Sequence, residues 1–188
     1  MKKIMLLAIM LAVPAAQTVA DEQAQRADQS RAVIKSFAGA LKGELKGALK
    51  SEGPLKAIEV CNSSAQHIAA ELSKKHGWEI SRTSLKPRNA ANTPDAWERA
   101  VLEKFEARKA AGEGPKMMEH YEIVTMNGDP VFRYMKAIPT AKKPCLVCHG
   151  SNLKPKVAAV IDKYYPNDQA RGYKAGDIRG AFSIIQPM

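Results

Sequence analysis

The most constraining feature of the sequence is the run Cys145-Leu146-Val147-Cys148-His149, in which two cysteines are separated by two residues and followed at once by a histidine. Cys-X-X-Cys-His is the attachment pattern of c-type haem, because each thiol can bond to one vinyl group of a single porphyrin. The adjacent histidine is then placed to coordinate the iron. The run predicts one covalently attached haem c, with Cys145 and Cys148 as its anchors and His149 as the proximal ligand.

The N-terminus has the layout of a secretory signal peptide. Lys2 and Lys3 precede an unbroken apolar stretch of ten residues, 4–13, and small residues precede Asp21. This order is typical of an export signal, and the stretch has roughly half of the ~20 residues needed to span a bilayer. We predict that residues 1–20 are a signal peptide cleaved after Ala20. Residues 21–188 are then a single exported domain in the periplasm, not an integral membrane protein.

Other sites use cysteine pairs, but each fits the sequence less well than haem. A redox pair does not need His149 and usually begins a helix after a strand, whereas Pro144 precedes this run and Gly150 follows it. A structural zinc site normally has a second pair of ligands. A disulfide between the two cysteines would leave Cys61 as a free thiol in an oxidising compartment. Haem attachment, which takes place outside the cytoplasm, accounts for the pair, the histidine and the signal together.

Hydrophobic patterning predicts one α+β domain. Apolar residues three and four apart predict helices, alternation predicts strands, and Asn127-Gly128 predicts a hairpin turn. Thr93 is the predicted N-cap of the third helix, with Pro94 at its first position. The cysteine run is predicted to lie in a loop. The predicted helices cover residues 21–51, 55–75, about 94–112 and 156–164, and the predicted strands cover residues 78–86, 119–126, 131–138 and 178–185.

The spacing of residues does not by itself decide which residue is the second iron ligand. Cys61 lies on a predicted helix face between Ala57 and Ala65, where small residues would let a flat macrocycle approach closely. A buried cysteine that packs as a small hydrophobe accounts for the same pattern equally well. His120 stays open as an alternative, whereas Met188 is the last residue and chain ends fray.

Charge suggests where partners bind. The chain carries a formal net charge of +10, but nucleic acid is not an expected partner of an exported protein. Arginines 82, 88 and 179 are candidates to pair with the haem propionates. Five lysines and no acidic residue lie between Met135 and Lys156, at positions 136, 142, 143, 154 and 156. This cluster would suit an acidic redox partner protein, although a merely solvated surface explains it as well.

Several motifs together resemble a known family, the haem-c-binding PAS-like domains. The resemblance covers about residues 29–187. One departure is Ala90, which follows the run Arg82 to Asn89 and stands where relatives usually have proline. The motifs that carry the resemblance are Ala57-Ile58-Glu59-Val60-Cys61, Arg82-Thr83-Ser84-Leu85-Lys86-Pro87-Arg88-Asn89, Trp97-Glu98, Cys145 to Gly150, Gly172-Tyr173 and Gly176-Asp177-Ile178-Arg179-Gly180-Ala181-Phe182-Ser183.

The resemblance implies a PAS-like fold with an antiparallel sheet, N-terminal helices and one haem. Carried over to this sequence, it makes Cys145 and Cys148 the covalent anchors, His149 the proximal iron ligand and Cys61 the distal ligand. A thiolate ligand adds negative charge at the iron, which stabilises the ferric state and lowers the reduction potential. The expected function is electron transfer by a non-enzymatic carrier. The alternative is a redox or gas sensor, in which Cys61 leaves the iron on reduction and carbon monoxide or nitric oxide binds.

Overall fold

The structure, a computed structural model, describes residues 15–188 and combines N-terminal helices with one antiparallel sheet, which confirms the predicted α+β class. Two single 3₁₀ turns, at 90–92 and 115–117, supplement the main elements. These elements are, in chain order, α1 (Ala15–Ser51), α2 (Pro54–His76), β1 (Glu79–Thr83), α3 (Ala96–Ala110), β2 (Glu119–Met126), β3 (Asp129–Pro139), α4 (Leu146–His149), α5 (Pro155–Tyr164) and β4 (Ile178–Pro187).

The predicted signal peptide falls mostly on residues 1–14, which lie outside the described residues. Helix α1 begins at Ala15, ahead of the start predicted at Asp21, and runs for 37 residues through the predicted cleavage site. No helix in residues 15–188 combines the length and the apolar character that a membrane crossing requires. Cleavage after Ala20 and export remain predictions.

The four strands form one sheet in the order β1-β4-β3-β2, with every neighbouring pair antiparallel. Asn127 and Gly128 connect β2 to β3, and both have positive φ angles, 55° and 96°. Two positive φ angles are what a two-residue hairpin turn with the right twist needs, so the predicted hairpin is confirmed. The C-terminal strand β4 lies inside the sheet and pairs with both β1 and β3.

Each face of the sheet carries its own apolar core. On one face α1 packs against the sheet, and Phe37 contacts Phe182 with ring centroids 5.2 Å apart. On the other face α3 contributes three fully buried side chains, Val101, Leu102 and Phe105. The two faces follow from the alternation of side chains along β3 and β4.

A third apolar cluster lies beside the sheet and joins α2 to α5. It consists of Ile58 from α2, Val157 and Ile161 from α5, and Tyr165, and the half-buried side chain of Cys148 packs against it. The cluster therefore holds the segment between β3 and β4, which includes the cysteine run, against helix α2. This contact positions the candidate site.

Two local predictions were wrong. The N-cap of α3 is Asp95, not Thr93: the Asp95 carboxylate accepts from Glu98 N at 2.7 Å, and Glu98 Oε2 accepts from Asp95 N at 3.1 Å. Thr93 Oγ1 instead donates to Ala90 O at 2.7 Å. Asp95 is favoured as the N-cap because its carboxylate also pairs with the buried Arg133 at 2.7 Å. The spacing of residues in the sequence cannot reveal this interaction.

Strand β1 is also shorter than predicted, because the ladder is interrupted beside Gly180. A Cβ atom on Gly180 would lie 2.3 Å from Thr83 O, so only glycine lets β4 pass this close. Ser84 leaves the sheet, and its backbone N–H donates to Asn92 O at 3.1 Å. The residues after Thr83 are thereby free to form the loop that carries Arg88.

Candidate functional site

The cysteine run forms a helical turn, not the predicted loop. Backbone N–H groups of Cys148 and His149 both donate to Cys145 O, at 3.2 and 2.9 Å, and Gly150 N donates to Leu146 O at 3.1 Å. Residues three and four apart lie on the same side of a helix. The turn therefore brings the half-buried side chains of Cys145, Cys148 and His149 to one side. The loop prediction failed because this short turn gains its support from the rest of the fold.

The His149 ring is held in one orientation by a hydrogen bond. Its Nδ1 donates to Ala170 O at 2.9 Å, and its backbone O accepts from Tyr173 N at 2.9 Å. A carbonyl oxygen can only accept, so Nδ1 carries the hydrogen and Nε2 carries the lone pair. This is the arrangement of a metal-binding histidine, whose second nitrogen is typically oriented by a carbonyl or carboxylate.

Electrostatics keep the same ring neutral. Burial is the main reason that the pKa of His149 lies well below its usual range, and the charges of Arg179 and Arg88 lower it further. A neutral imidazole is the form that binds a metal ion. The surroundings of His149 therefore favour ligation in both geometry and charge.

Cys61 lies in the middle of α2, between the buried Ala57 and Ala65. Burial raises the pKa of the Cys61 thiol, and the positive charges of Arg82, Arg88 and Arg179 oppose that rise. Arg88 and Arg179 also act on His149, and Cys61 in turn affects the pKa of Cys148. Cys61 and the helical turn therefore lie in one positively charged region.

The other ligand candidates are engaged elsewhere. His120 Nε2 lies 3.2 Å from Glu122 Oε1 on β2, and the His120 ring packs on Trp97 with centroids 5.8 Å apart. Met118 and Met135 are fully buried in the core beneath α3. His67 is exposed on another face of α2.

The three arginines near Cys61 differ in their partners. Arg88 donates from Nε to Asp168 at 2.9 Å, and the two side chains are only 10% and 2% exposed. Within residues 15–188, by contrast, no carboxylate pairs with Arg82 or Arg179. Arg179 Nε is buried without a hydrogen-bond partner there, although Arg179 Nη1 donates to Ser84 Oγ at 3.1 Å. Two half-buried arginines thus have no carboxylate partner among residues 15–188, whereas Arg88 already has one.

Sequence reasoning missed two contributors to the site, Ala170 and Asp168. Ala170 acts through its backbone carbonyl, which every residue has, so no side-chain pattern could indicate it. Asp168 meets Arg88 across eighty positions of sequence, and an isolated aspartate two residues after Pro166 gives no signal of such a distant pair.

The fold and site together define an α+β domain in which a Cys-X-X-Cys-His helical turn and a cysteine-bearing helix meet beside a four-stranded antiparallel sheet. The chain belongs to the Tll0287-like family, whose model matches residues 8–187. This confirms, at the level of the family, the resemblance drawn from the sequence motifs.

The fold is similar to that of a solved relative, described as the cyanobacterial heme-protein Tll0287. The TM-score is 0.68 at 23% sequence identity, and the match covers 87% of this chain and 96% of that chain. No curated protein matches the sequence. The likeness extends over nearly the full length of both chains, so it concerns the whole domain and not one motif.

Proposed function

We propose that this protein is an exported, monohaem c-type cytochrome that transfers electrons in the periplasm as a carrier and not as an enzyme. In this proposal Cys145 and Cys148 anchor the haem, and His149 and Cys61 are its two iron ligands. The observation that carries the proposal is the hydrogen bond from His149 Nδ1 to Ala170 O at 2.9 Å. It leaves Nε2 as the ring nitrogen available to a metal, on the helical turn that also carries the free Cys145 and Cys148.

The residues present fit a haem group. The buried Arg179 Nε lacks a partner among the described residues, and haem carries two propionates that arginine recognises well. The description of the relative as a heme-protein supports the same cofactor. When bound, haem supplies an iron that changes between the ferric and ferrous states. The protein contributes the ligands, the charge balance and the exclusion of water around it.

Cys61 is proposed to bind as a thiolate, which favours the ferric state. Burial raises the pKa of the Cys61 thiol, and the nearby charges of Arg82, Arg88 and Arg179 oppose part of that rise. A thiolate from Cys61, together with the neutral imidazole of His149, would add electron density to the iron. We therefore expect a six-coordinate, low-spin ferric haem with a low reduction potential.

The lysine cluster is the proposed docking surface for an acidic redox partner protein. Lys142, Lys143, Lys154 and Lys156 are exposed, and none of them pairs with a carboxylate within the described part of the chain. Val147, between the two cysteines, is 39% exposed. An apolar contact with a basic rim suits a transient complex in which charge speeds the encounter. Lys136 is excluded from this surface, because it is half-buried and pairs with Glu119 at 3.5 Å.

A redox or gas sensor is the second candidate, and the burial of Cys61 favours it. Burial raises the pKa of Cys61, so its surroundings favour the neutral thiol over the negative sulfur. Reduction of the iron from ferric to ferrous removes one positive charge, and a thiolate ligand is then stabilised less. Cys61 would then leave the iron as a neutral thiol and allow carbon monoxide or nitric oxide to bind. The two functions share every ligand and differ in whether Cys61 stays bound in the ferrous protein.

Haem attachment is tested by producing the chain with a c-type cytochrome maturation system and staining a denaturing gel for haem. The unmodified protein should keep its haem through denaturation. The C145S/C148S variant should lose it, because no thioether can form. The matched control is Cys61→Ser, which removes a thiol from the same site without removing an anchor, and should retain covalent haem. Haem that washes out of the unmodified protein would overturn the proposal.

The role of Cys61 is tested by absorption and electron paramagnetic resonance spectra. Cys61→Ser should convert the ferric iron to a high-spin form, because a serine hydroxyl is a weak ligand. An unchanged low-spin spectrum would contradict ligation by Cys61. Carbon monoxide added to the reduced protein separates the two functions: an unchanged spectrum supports the carrier, and formation of a carbon monoxide adduct supports the sensor.

A further inference from the structure

The ion pair between Arg88 and Asp168 contacts Ala170, the same residue that accepts the hydrogen bond from the proposed haem ligand His149. Arg88 Nη2 donates to Cys148 O at 2.6 Å and to Ala170 O at 3.1 Å, and Arg88 Nε donates to Asp168 Oδ1 at 2.9 Å. One guanidinium therefore joins the cysteine turn, the loop around Ala170 and its own loop. Arginine suits this task because its planar group has five donors in fixed directions.

Asp168, the other member of the ion pair, accepts two further hydrogen bonds. Its Oδ1 accepts from Ala170 N at 2.9 Å, and its Oδ2 accepts from Arg171 Nε at 2.7 Å. Burial opposes ionisation of Asp168, but the hydrogen bonds from Arg88 and Arg171 bring its pKa below the ordinary value. The carboxylate is therefore a full negative charge at neutral pH, and it holds the backbone N–H of Ala170 and the side chain of Arg171.

The Ala170 carbonyl oxygen is the point where this pair reaches the iron ligand. It accepts from Arg88 Nη2 at 3.1 Å and from His149 Nδ1 at 2.9 Å. A carbonyl that is also bound by a cation has less electron density to offer, so it is a weaker acceptor for the imidazole N–H. A weaker hydrogen bond at Nδ1 makes Nε2 a poorer electron donor to a metal.

We propose that Arg88 and Asp168 form a positioning pair that orients His149 and sets the reduction potential of the haem through the Ala170 carbonyl. Arg88 withdraws density from that carbonyl and raises the potential, and the Asp168 carboxylate offsets this effect. This inference rests on the proposed haem function, but it assigns Arg88 a role beyond binding a propionate, since Nε and Nη2 of Arg88 are already committed to Asp168, Cys148 O and Ala170 O.

The proposal predicts opposite signs for the two halves of the pair. Arg88→Gln removes a positive charge and strengthens the His149 hydrogen bond, so the reduction potential should fall. Asp168→Asn leaves the Arg88 charge unbalanced, so the potential should rise, and the R88Q/D168N double variant should return toward the unmodified value. Arg88→Lys, which keeps the charge but cannot bridge all three acceptors, should lie between R88Q and the unmodified protein.

The matched control is Arg171→Gln. Arg171 binds the same carboxylate at 2.7 Å, but it donates to neither Cys148 O nor Ala170 O. Its loss should therefore move the potential far less than R88Q. A merely structural role predicts a different result, because R88Q and D168N loosen the same loop and would then shift the potential in the same direction. That outcome, or no shift in either, overturns the proposal.

A second measurement does not need the potential. It is the chemical shift of the His149 Nδ1 proton, measured by nuclear magnetic resonance on the full chain with ¹⁵N-labelled histidine and under reducing conditions. The proton should move downfield in R88Q, where its hydrogen bond strengthens, and upfield in D168N, where the bond weakens. If the unmodified chain lacks covalent haem, the proposed function fails, but this proton still tests the pair. An unmoved proton in both variants contradicts the inference whether or not haem is bound.

Discussion

Two groups of arginines in this molecule have opposite relations to the carboxylates around them. At the outer edge of the sheet, Arg31 of α1 donates to both carboxylate oxygens of Glu119 on β2, with Nε at 3.1 Å from each. Tyr134 OH donates to the same carboxylate at 2.7 Å. Beside Cys61, Arg82 and Arg179 are also half-buried, yet no carboxylate in residues 15–188 pairs with either.

The difference teaches how to separate charges that serve the fold from charges that serve a ligand. The Arg31–Glu119 pair ties the N-terminal helix to an edge strand, and its charges are balanced within the chain. A buried charge without a counterion weakens the folded state, so its presence indicates that something outside the chain completes it. The predictions below test this contrast, from the largest expected effect to the smallest.

The largest effect is expected from Glu119→Gln in the paired group. The substitution removes the anion shared by Arg31 and Tyr134 and leaves a partly buried guanidinium without its main partner. We expect the free energy of unfolding to fall by about 2–3 kcal/mol, as for other broken, partly buried pairs, measured by urea denaturation. Glu113→Gln is the control, because the Glu113 side chain is 42% accessible whereas that of Glu119 is 21% accessible, and the loss from E113Q should be much smaller. Equal losses would contradict the contrast.

The same pair predicts a dependence of stability on pH. The hydrogen bond from Arg31, supported by Tyr134 and opposed by burial, lowers the pKa of Glu119 from 4.5 to about 2 in the folded protein. A carboxyl with a lowered folded pKa stabilises the protein fully above its unfolded pKa and loses that contribution as the pH falls toward the folded pKa.

Stability should therefore decline between about pH 5 and pH 2, with about 1–2 kcal/mol due to Glu119 after allowance for the partial exposure of the pair. The measurement compares urea denaturation of the unmodified protein and E119Q across that interval. The difference between the two should shrink as the pH falls, since other carboxylates affect both proteins alike. A constant difference would show that Glu119 does not titrate in this way.

The smallest effect on folding is expected from Arg179→Met in the unpaired group. In the full chain produced without haem, removal of a buried, unbalanced charge should change the free energy of unfolding by no more than about 1 kcal/mol, and toward greater stability. In the haem-loaded protein the same substitution should lower the reduction potential, because a positive charge near the iron is lost. A large loss of stability without haem would place Arg179 with the paired group and break the comparison.

Much of the fold could be predicted because its signals are local. The apolar stripe along α1, the face of α2 that contains Cys61 and the Asn127-Gly128 hairpin all depend on residues a few positions apart. The helical turn of the cysteine run could not be predicted, because it is short and is stabilised by contacts with distant segments. Tyr173 N, for example, donates to His149 O at 2.9 Å.

The sequence by itself determined the α+β class, the spacing of Cys145, Cys148 and His149, and Cys61 as an unusual third cysteine. Each of these is a matter of periodicity or of neighbouring residues. Only the tertiary structure decided that Arg88 pairs with Asp168, whereas Arg82 and Arg179 have no carboxylate partner in the part of the chain that the structure describes. The reason is physical: the partner of a charge depends on which distant segments the fold brings within a few ångströms, and residue type alone does not contain that information.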